Sequence, residues 1–333
     1  MTRLSRRRAL KTLFCSSAAL ALNLRSAGAK SAPALAAEAM NLLALGDYGT
    51  GGTEQRAVAA GMRQFVERTR ATPKGLLMLG DNFYGPTEGG LTVESERWQT
   101  NFEEMYPASV FPGPCWAVLG NHDYHDNYRG ELAQLAYSQK TGGRWTMPAK
   151  WYRVDLGAPV PLLTLIFLDS NLRHVSGGRG KIVWPPRTHL TDGEEREQLA
   201  WFKQQLAGPR ARFTIVVAHH PLYSNGDHGD TRALVEQWDG LLQEHRVHAY
   251  LCGHDHDLQH LELGGRFTSH VLSGGGGARV RRLESSRKTP FGESINGFTH
   301  LAVLPVGMTF THHSSNGDVL HQFTKRADGA VEL

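Results

Sequence analysis

The 333-residue chain is poor in cysteine, in long apolar runs and in surplus charge, and each shortage removes a class of protein. It has three cysteines, Cys15, Cys115 and Cys252, and only two lie beyond residue 29, so no disulfide framework holds the fold. The apolar run Leu13 to Leu22 falls short of the ~20 residues needed to span a bilayer, so stable membrane insertion is not expected. There is no repeat or low-complexity tract to support a solenoid or adhesion module. The formal charge of +4 comes from the first 29 residues, which hold six basic side chains and no acidic one. The rest has 30 basic against 32 acidic residues, which gives no reason to expect nucleic acid or an anionic membrane as a partner.

Residues 1–29 read as a cleavable export signal. Arg3, Arg6, Arg7, Arg8 and Lys11 precede the apolar run, and Ala27-Gly28-Ala29 offers a small-x-small cleavage site. Ser5-Arg6-Arg7-Arg8-Ala9-Leu10-Lys11 resembles the twin-arginine motif, with Ala9 where an aromatic is favoured. That implies the twin-arginine export machinery as a partner and a periplasmic or secreted destination. An ordinary secretory signal and a disordered basic terminus are the alternatives. A linker over residues 30–39 would lead to one catalytic domain over 40–333.

Short apolar runs with strand character recur: Leu42–Leu45, Leu76–Leu79, Trp116–Leu119, Leu165–Leu168 and Ile215–Val217. Helical faces lie between them, at Val58, Met62, Phe65 and Val66, and at Leu234, Val235, Trp238, Leu241 and Leu242. A third helix carries Leu199, Phe202 and Leu206 behind an acidic first turn at Glu194 and Glu195. Alternating elements of this kind predict a layered α/β domain, and short strands after Ile295 predict a mixed or second sheet. Segment 171–192 has turn residues and no period, and reads as a surface loop.

The apolar runs end in Gly46-Asp47, Gly80-Asp81, Gly120-Asn121-His122, Ala218-His219-His220 and Gly253-His254-Asp255-His256. Open α/β sheets bind ligands at such strand ends. Asp47, Asp81, Tyr84, Asn121, His219, His254 and His256 form an oxygen- and imidazole-rich set without thiolate, too many for one ordinary ion but suited to two. Taken singly, any of them is as readily a turn residue or a satisfied buried polar group.

In order along the chain, Gly46-Asp47-Tyr48-Gly49, Gly80-Asp81-Asn82-Phe83-Tyr84, Gly120-Asn121-His122-Asp123, Val216-Val217-Ala218-His219 and Gly253-His254-Asp255-His256 resemble the five metal-binding blocks of the purple acid phosphatases, especially the small tartrate-resistant type. The resemblance implies an α/β/β/α sandwich of two mixed sheets flanked by helices, and hydrolysis of small phosphomonoesters by metal-hydroxide attack. It implies Fe(III) on Asp47, Tyr84 and His256, with Asp81 bridging to a divalent ion (Fe, Zn or Mn) on Asn121, His219 and His254. Gly49 and Tyr84 stand where the wider superfamily usually has histidine and aspartate, and a phenolate suits a trivalent ion.

The same resemblance makes His122, oriented by Asp123, a catalytic and substrate-facing histidine. His228, in Tyr223-Ser224-Asn225-Gly226-Asp227-His228-Gly229, is a second, Asn121 joins the substrate-binding set, and His220, where the small type tends to have an aromatic residue, is a third candidate for it. Gly274–Gly277 lacks the ending of a phosphate loop and reads as backbone passing close to the metals, and Arg279, Arg281 and Arg282 form either an anion contact or a solvated turn. His312-His313 reads as structural, and Trp98, Trp145 and Trp151 as packing anchors. A Zn- or Mn-dependent phosphodiesterase or nucleotidase is the alternative enzyme, and a non-catalytic exported metal- or phosphate-binding protein is the alternative of another class.

Overall fold

The apolar runs become strands buried on both faces. The computed structural model describes residues 39–140, 142–175, 189–284 and 287–333. The export signal, nearly all of the linker and the core of the 171–192 segment lie outside the described residues. Strand β1 (Met40–Leu45) leads into α1 (Thr53–Thr69), then β2 (Gly75–Met78) and β3 (Cys115–Ala117). After α2 (Asn121–His125) and α3 (Gly130–Tyr137) come β4 (Trp145–Thr146), β5 (Tyr152–Leu156) and β6 (Leu163–Phe167). Helix α4 (Asp192–Ala207), β7 (Phe213–Val217), a helical stretch over 232–244 and β8 (Ala249–Cys252) follow. The remainder is strand: β9 (Leu258–Leu261), β10 (Ser269–Ser273), β11 (Phe291–Glu293), β12 (Gly297–Leu304), β13 (Gly307–Ser314), β14 (Val319–Lys325) and β15 (Val331–Glu332).

Two mixed sheets result. One has the order β15-β14-β13-β12-β1-β2-β3-β4 and the other β11-β9-β10-β8-β7-β6-β5. Strands β1 to β4 run parallel in the first, and β6, β7, β8 and β10 run parallel in the second. The period-two alternation of β6, β7 and β8 sorts their side chains between two cores. Leu163, Leu165, Phe167, Phe213, Ile215, Val217, Ala249 and Leu251 join one apolar cluster with β1, β2 and β3. Ile166, Leu168, Val216, Tyr250 and Cys252 face the other way, under Phe202 and Leu206 of α4 and Leu234, Trp238 and Leu242 of the 232–244 stretch. The first sheet is covered by α1 through Val58, Met62 and Phe65. This is the expected layered sandwich.

Helix α4 starts as its acidic first turn predicts. Thr191 Oγ1 accepts the Glu194 N–H at 3.2 Å while Glu194 Oε2 accepts the Thr191 N–H at 2.8 Å, a reciprocal cap. Trp98 lies flat on Tyr137 at 3.6 Å, with Trp145 edge-on at 5.1 Å, so both tryptophans anchor packing. His312 is buried on β13 between Thr299 Oγ1 (2.9 Å) and the Gln259 carbonyl (3.2 Å). Among the described residues, no helix is long and apolar enough to cross a membrane.

Several histidines far from the strand ends are buried and neutral. Burial lowers His300 and His312 to about 3, against an ordinary value of 6.5. The unfolded chain therefore takes up protons below pH 6.5 that the folded chain refuses until about pH 3, and stability is lost as pH falls through that window. The melting temperature is expected to drop between pH 7 and 4.5. In His300→Gln, whose amide can still meet Asn41 Oδ1 (2.8 Å from His300 Nε2), the drop should be shallower; an equal slope in both proteins would contradict the assignment.

Candidate metal centre

Each candidate ligand sits just past the C-terminal end of a parallel strand, where β1, β2 and β3 of one sheet meet β7 and β8 of the other. The sheets are tied here by main-chain bonds from Gly46 N–H to the Ser273 carbonyl (2.7 Å) and from Gly276 N–H to the Gly46 carbonyl (3.0 Å). Asp47, Asp81 and His254 adopt left-handed backbone angles, with φ of 59°, 52° and 72°. Such angles are costly for residues with a Cβ and persist where the surroundings over-determine them. They turn the chain abruptly enough to bring all three side chains inward.

Two groups of donors converge. In the first, Tyr84 Oη lies 3.1 Å from Asp47 Oδ1, 2.9 Å from Asp81 Oδ2 and 3.1 Å from His256 Nε2. His256 donates from Nδ1 to the Arg279 carbonyl at 2.8 Å, which leaves its Nε2 bare. Three acceptors thus surround a hydroxyl that has one hydrogen to give. Burial, then the charge of Asp81, pushes Asp47 well above its ordinary range. Burial, then Asp47 and Asp81, does the same to the Tyr84 phenol. A cation among them reverses that repulsion and lets the phenol and both carboxylates ionise together.

In the second group, Asn121 Oδ1 lies 3.1 Å from His219 Nε2 and 3.0 Å from His254 Nδ1, and the two imidazole nitrogens are 3.3 Å apart. His219 Nδ1 faces the Leu79 carbonyl at 2.8 Å and so carries the hydrogen, which leaves Nε2 as a bare donor. Burial lowers both His219 and His254, so both imidazoles are neutral. Asp81 belongs to both groups, because its Oδ1 lies 3.5 Å from His219 Nε2 while its Oδ2 meets Tyr84. This surplus of buried lone pairs is chemistry that two cations fit, with Asp81 between them.

The structure brings all seven sequence-predicted ligands into this one place, and it explains the glycine beside them. A Cβ on Gly49 would lie 2.1 Å from the Asn82 carbonyl oxygen. Gly49 instead accepts the Tyr84 N–H at 2.9 Å and donates to the Asp81 carbonyl at 3.2 Å. The absence of a side chain at 49 and the presence of the phenol at 84 are therefore one packing arrangement. Gly274 passes as close as its sequence suggests, since a Cβ there would meet the Asp255 carbonyl oxygen at 2.0 Å and Asp47 Oδ2 at 2.9 Å.

One expectation is corrected. Asp123 does not orient His122. Its carboxylate accepts the N–H groups of Asn82 (3.0 Å), Phe83 (3.1 Å) and Gly120 (2.8 Å), and Gln134 Nε2 at 2.8 Å, so it clamps the loop that carries Asp81 and Tyr84. The partner of His122 is Asp126, whose Oδ2 lies 2.8 Å from His122 Nδ1 and also accepts the Gly85 N–H at 2.6 Å. The i, i+4 spacing was the available signal, and it shows only once residues 121–125 are known to be helical. Burial opposes a charged His122, but Asp81 and the bond to Asp126 outweigh it and raise the imidazolium to about 9.

His228 stands across the site, its ring 4.1 Å from that of His254. Its Nδ1 donates to the buried Asp255 at 2.8 Å, and Arg281 Nη1 approaches its Nε2 at 2.8 Å. A cavity of about 830 Å³ opens here, lined by His174, Asp227, His228, His254, Arg281 and Glu284. His220 is buried, with its Nδ1 2.8 Å from Ser170 Oγ. Asp126, Asp255 and Ser170 were not singled out in the sequence, because each matters only through the histidine it touches.

A sequence profile of the calcineurin-like phosphoesterases matches residues 40–258. Mouse tartrate-resistant acid phosphatase type 5 is 34% identical over 256 residues, covering 74% of this chain and 76% of that protein. The human protein of that name is 31% identical over 300 residues, covering 86% and 90%. Purple acid phosphatase 3 of Arabidopsis thaliana is 28% identical over 299 residues, covering 86% and 77%. Of solved structures, GAP50, the anchor in the inner membrane complex of Plasmodium, superposes with a TM-score of 0.71 at 24% identity, covering 86% of this chain and 88% of that one. The purple acid phosphatase PPD1 from yellow lupin gives 0.62 at 18%, covering 86% and 53%. At these identities the two structures carry the fold alone.

Replacing Gly49 tests the coupling to Tyr84. Gly49→Ala forces a backbone clash that costs about 1–3 kcal/mol and moves Asn82–Tyr84 away from Asp47. Elemental analysis should show metal lost from the Tyr84 half. A variant with its full metal complement and wild-type stability would contradict the packing argument.

Proposed function

The chain belongs to the calcineurin-like phosphoesterases, among their purple acid phosphatases, and from that premise we propose that it is an exported acid phosphatase using an Fe(III)–M(II) pair. It is a dinuclear metallophosphatase, a hydrolase of phosphoric monoesters. The observation that carries the iron assignment is Tyr84 Oη between Asp47, Asp81 and His256, a hard anionic set suited to a trivalent ion. In this reading Asp47, Tyr84 and His256 hold Fe(III). Asn121, His219 and His254 hold the divalent ion, which is Fe, Zn or Mn, and Asp81 is shared. Bound there, the ions supply Lewis acidity toward a phosphoryl oxygen and a water molecule.

The remaining chemistry falls to the chain. His122 delivers the proton that the departing alcohol needs, with Asp126 as its carboxylate partner. Asp126 holds its Nδ1 and so directs Nε2 outward. Arg281 brings positive charge and hydrogen-bond donors to the phosphoryl group, and His228, its Nδ1 held by Asp255, positions the Arg281 guanidinium. Gly85 and Asp126 join the Tyr84 loop to the proton donor, so the metal side and the leaving-group side are built as one piece. Export rests on residues 1–29, with Ser5–Lys11 as the twin-arginine signal.

Two measurements test this. The visible spectrum of the purified protein should show a tyrosinate-to-iron charge-transfer band that is lost in Tyr84→Phe. A protein that stays colourless after iron loading and oxidation would remove the Fe(III) assignment and favour the Zn- or Mn-dependent alternative. Rates on paired substrates should favour phosphomonoesters over diesters, and His122→Ala should lower kcat by ~10²–10⁴-fold on alkyl phosphates. Because an acidic phenol leaves without much help, the loss on an activated aryl phosphate should be much smaller. Equal losses on both would sink the leaving-group role of His122.

A further inference from the structure

We infer that His220 supplies a third imidazole to the nitrogen-rich half of the centre, beside His219 and His254, and so selects the divalent ion. The inference rests on the dinuclear reading above. Consecutive residues of a strand point to opposite faces, and His219 and His220 would do so if β7 continued. It does not. The Ala218 N–H makes its rung to the Leu251 carbonyl at 3.1 Å, the Gly253 N–H reaches past it to the His219 carbonyl at 3.0 Å, and the regular pairing ends there. Both rings turn toward His254, with centroid separations of 5.1 Å for His219 and 4.3 Å for His220, and they stand 4.9 Å from each other.

The His220 ring is pinned from behind. Ser170 Oγ lies 2.8 Å from its Nδ1 and accepts its backbone N–H at 2.9 Å, while Tyr250 Oη donates to its carbonyl at 2.7 Å. The residue is 1% exposed, and Nε2 has no hydrogen-bond partner among the described residues. A buried imidazole nitrogen without a partner has given up its hydration for nothing in return. One ring nitrogen from each of His219, His220 and His254 lies within 4.8 Å of the others. With Nδ1 held by Ser170, in the manner of an outer partner that fixes the tautomer of a ligating histidine, Nε2 is the atom left to donate. His220 would then face the metal, and it is not among the described residues that line the cavity beside His228.

The consequence is chemical. Two imidazoles with an amide oxygen and a shared carboxylate already prefer zinc to manganese, and a third imidazole widens that preference, because imidazole suits zinc and iron while manganese suits oxygen donors. The competing tautomer has Ser170 donating to Nδ1 and an Nε2–H packed against the His254 ring, with no bond to metal.

X-ray absorption at the zinc edge of the iron–zinc protein separates the two. Three imidazoles on zinc in the wild type, falling to two in His220→Gln with two metals per chain retained, is the expected result. In competition during reconstitution, the variant's preference for zinc over manganese should fall by at least ~10-fold. His220→Phe gives a second variant if Gln folds poorly. Two imidazoles on zinc in the wild type, or an unchanged count and preference in both variants, would overturn the inference. A wild type that cannot hold two metals would overturn the dinuclear reading and this inference with it.

Discussion

The structure depends on a surplus of buried lone pairs with too few hydrogens to go round. Asp47 and Asp81 are fully buried, Tyr84 offers one hydrogen to three acceptors, and two imidazole nitrogens and an amide oxygen face one another at about 3 Å. An arrangement of this kind would be expelled from an ordinary protein interior, since uncompensated charge is the costliest thing to bury. Cations at these two groups would neutralise it, and two sheets packed over a shared apolar core, with a second core on the outer face of one, hold the strand ends in place. Function here stores local instability against the surrounding fold.

The loops around the site show how that fixing is achieved. The Asp81–Tyr84 loop is held from three directions: by Gly49 through backbone pairing, by Asp123 through a carboxylate that collects amide hydrogens, and by Asp126 through Gly85. Asp123 and Asp126 are neighbours of candidate ligands in sequence, yet neither points at the metals. They occupy the layer behind, where hydrogen bonds set the direction of His122 and Tyr84 to within a fraction of an ångström. Asp255 plays the same part for His228 from the opposite sheet. The two histidines thus flank the site from segments that follow strands of different sheets.

Much of this was legible in the residues. The strand runs, the α1 and α4 faces and the acidic cap of α4 follow from periodicity and capping chemistry, which are local properties of the chain. The seven donors were legible because a small residue (glycine four times, alanine once) followed by a polar one at the end of an apolar run has few structural explanations when it recurs five times. The partner of His122 was not. Asp123 and Asp126 are both acidic and both close, and spacing chooses between them only if the segment is a helix, where i, i+4 side chains meet and i, i+1 side chains diverge.

The sequence by itself determined the layered α/β class, the family resemblance and the list of donors, because hydrophobic period and residue chemistry are carried by the chain alone. Tertiary structure decided which donors lie together and which carboxylate is common to both groups. It also decided which acidic residue points a histidine, and why Gly49 and Tyr84 occur together. Apart from the His122–Asp126 pair, these are relations between residues tens to hundreds of positions apart, such as Asp47 with His254 and Asn121 with His219. They are fixed by two sheets packing at their strand ends, and no local pattern in the chain encodes a distance across that junction.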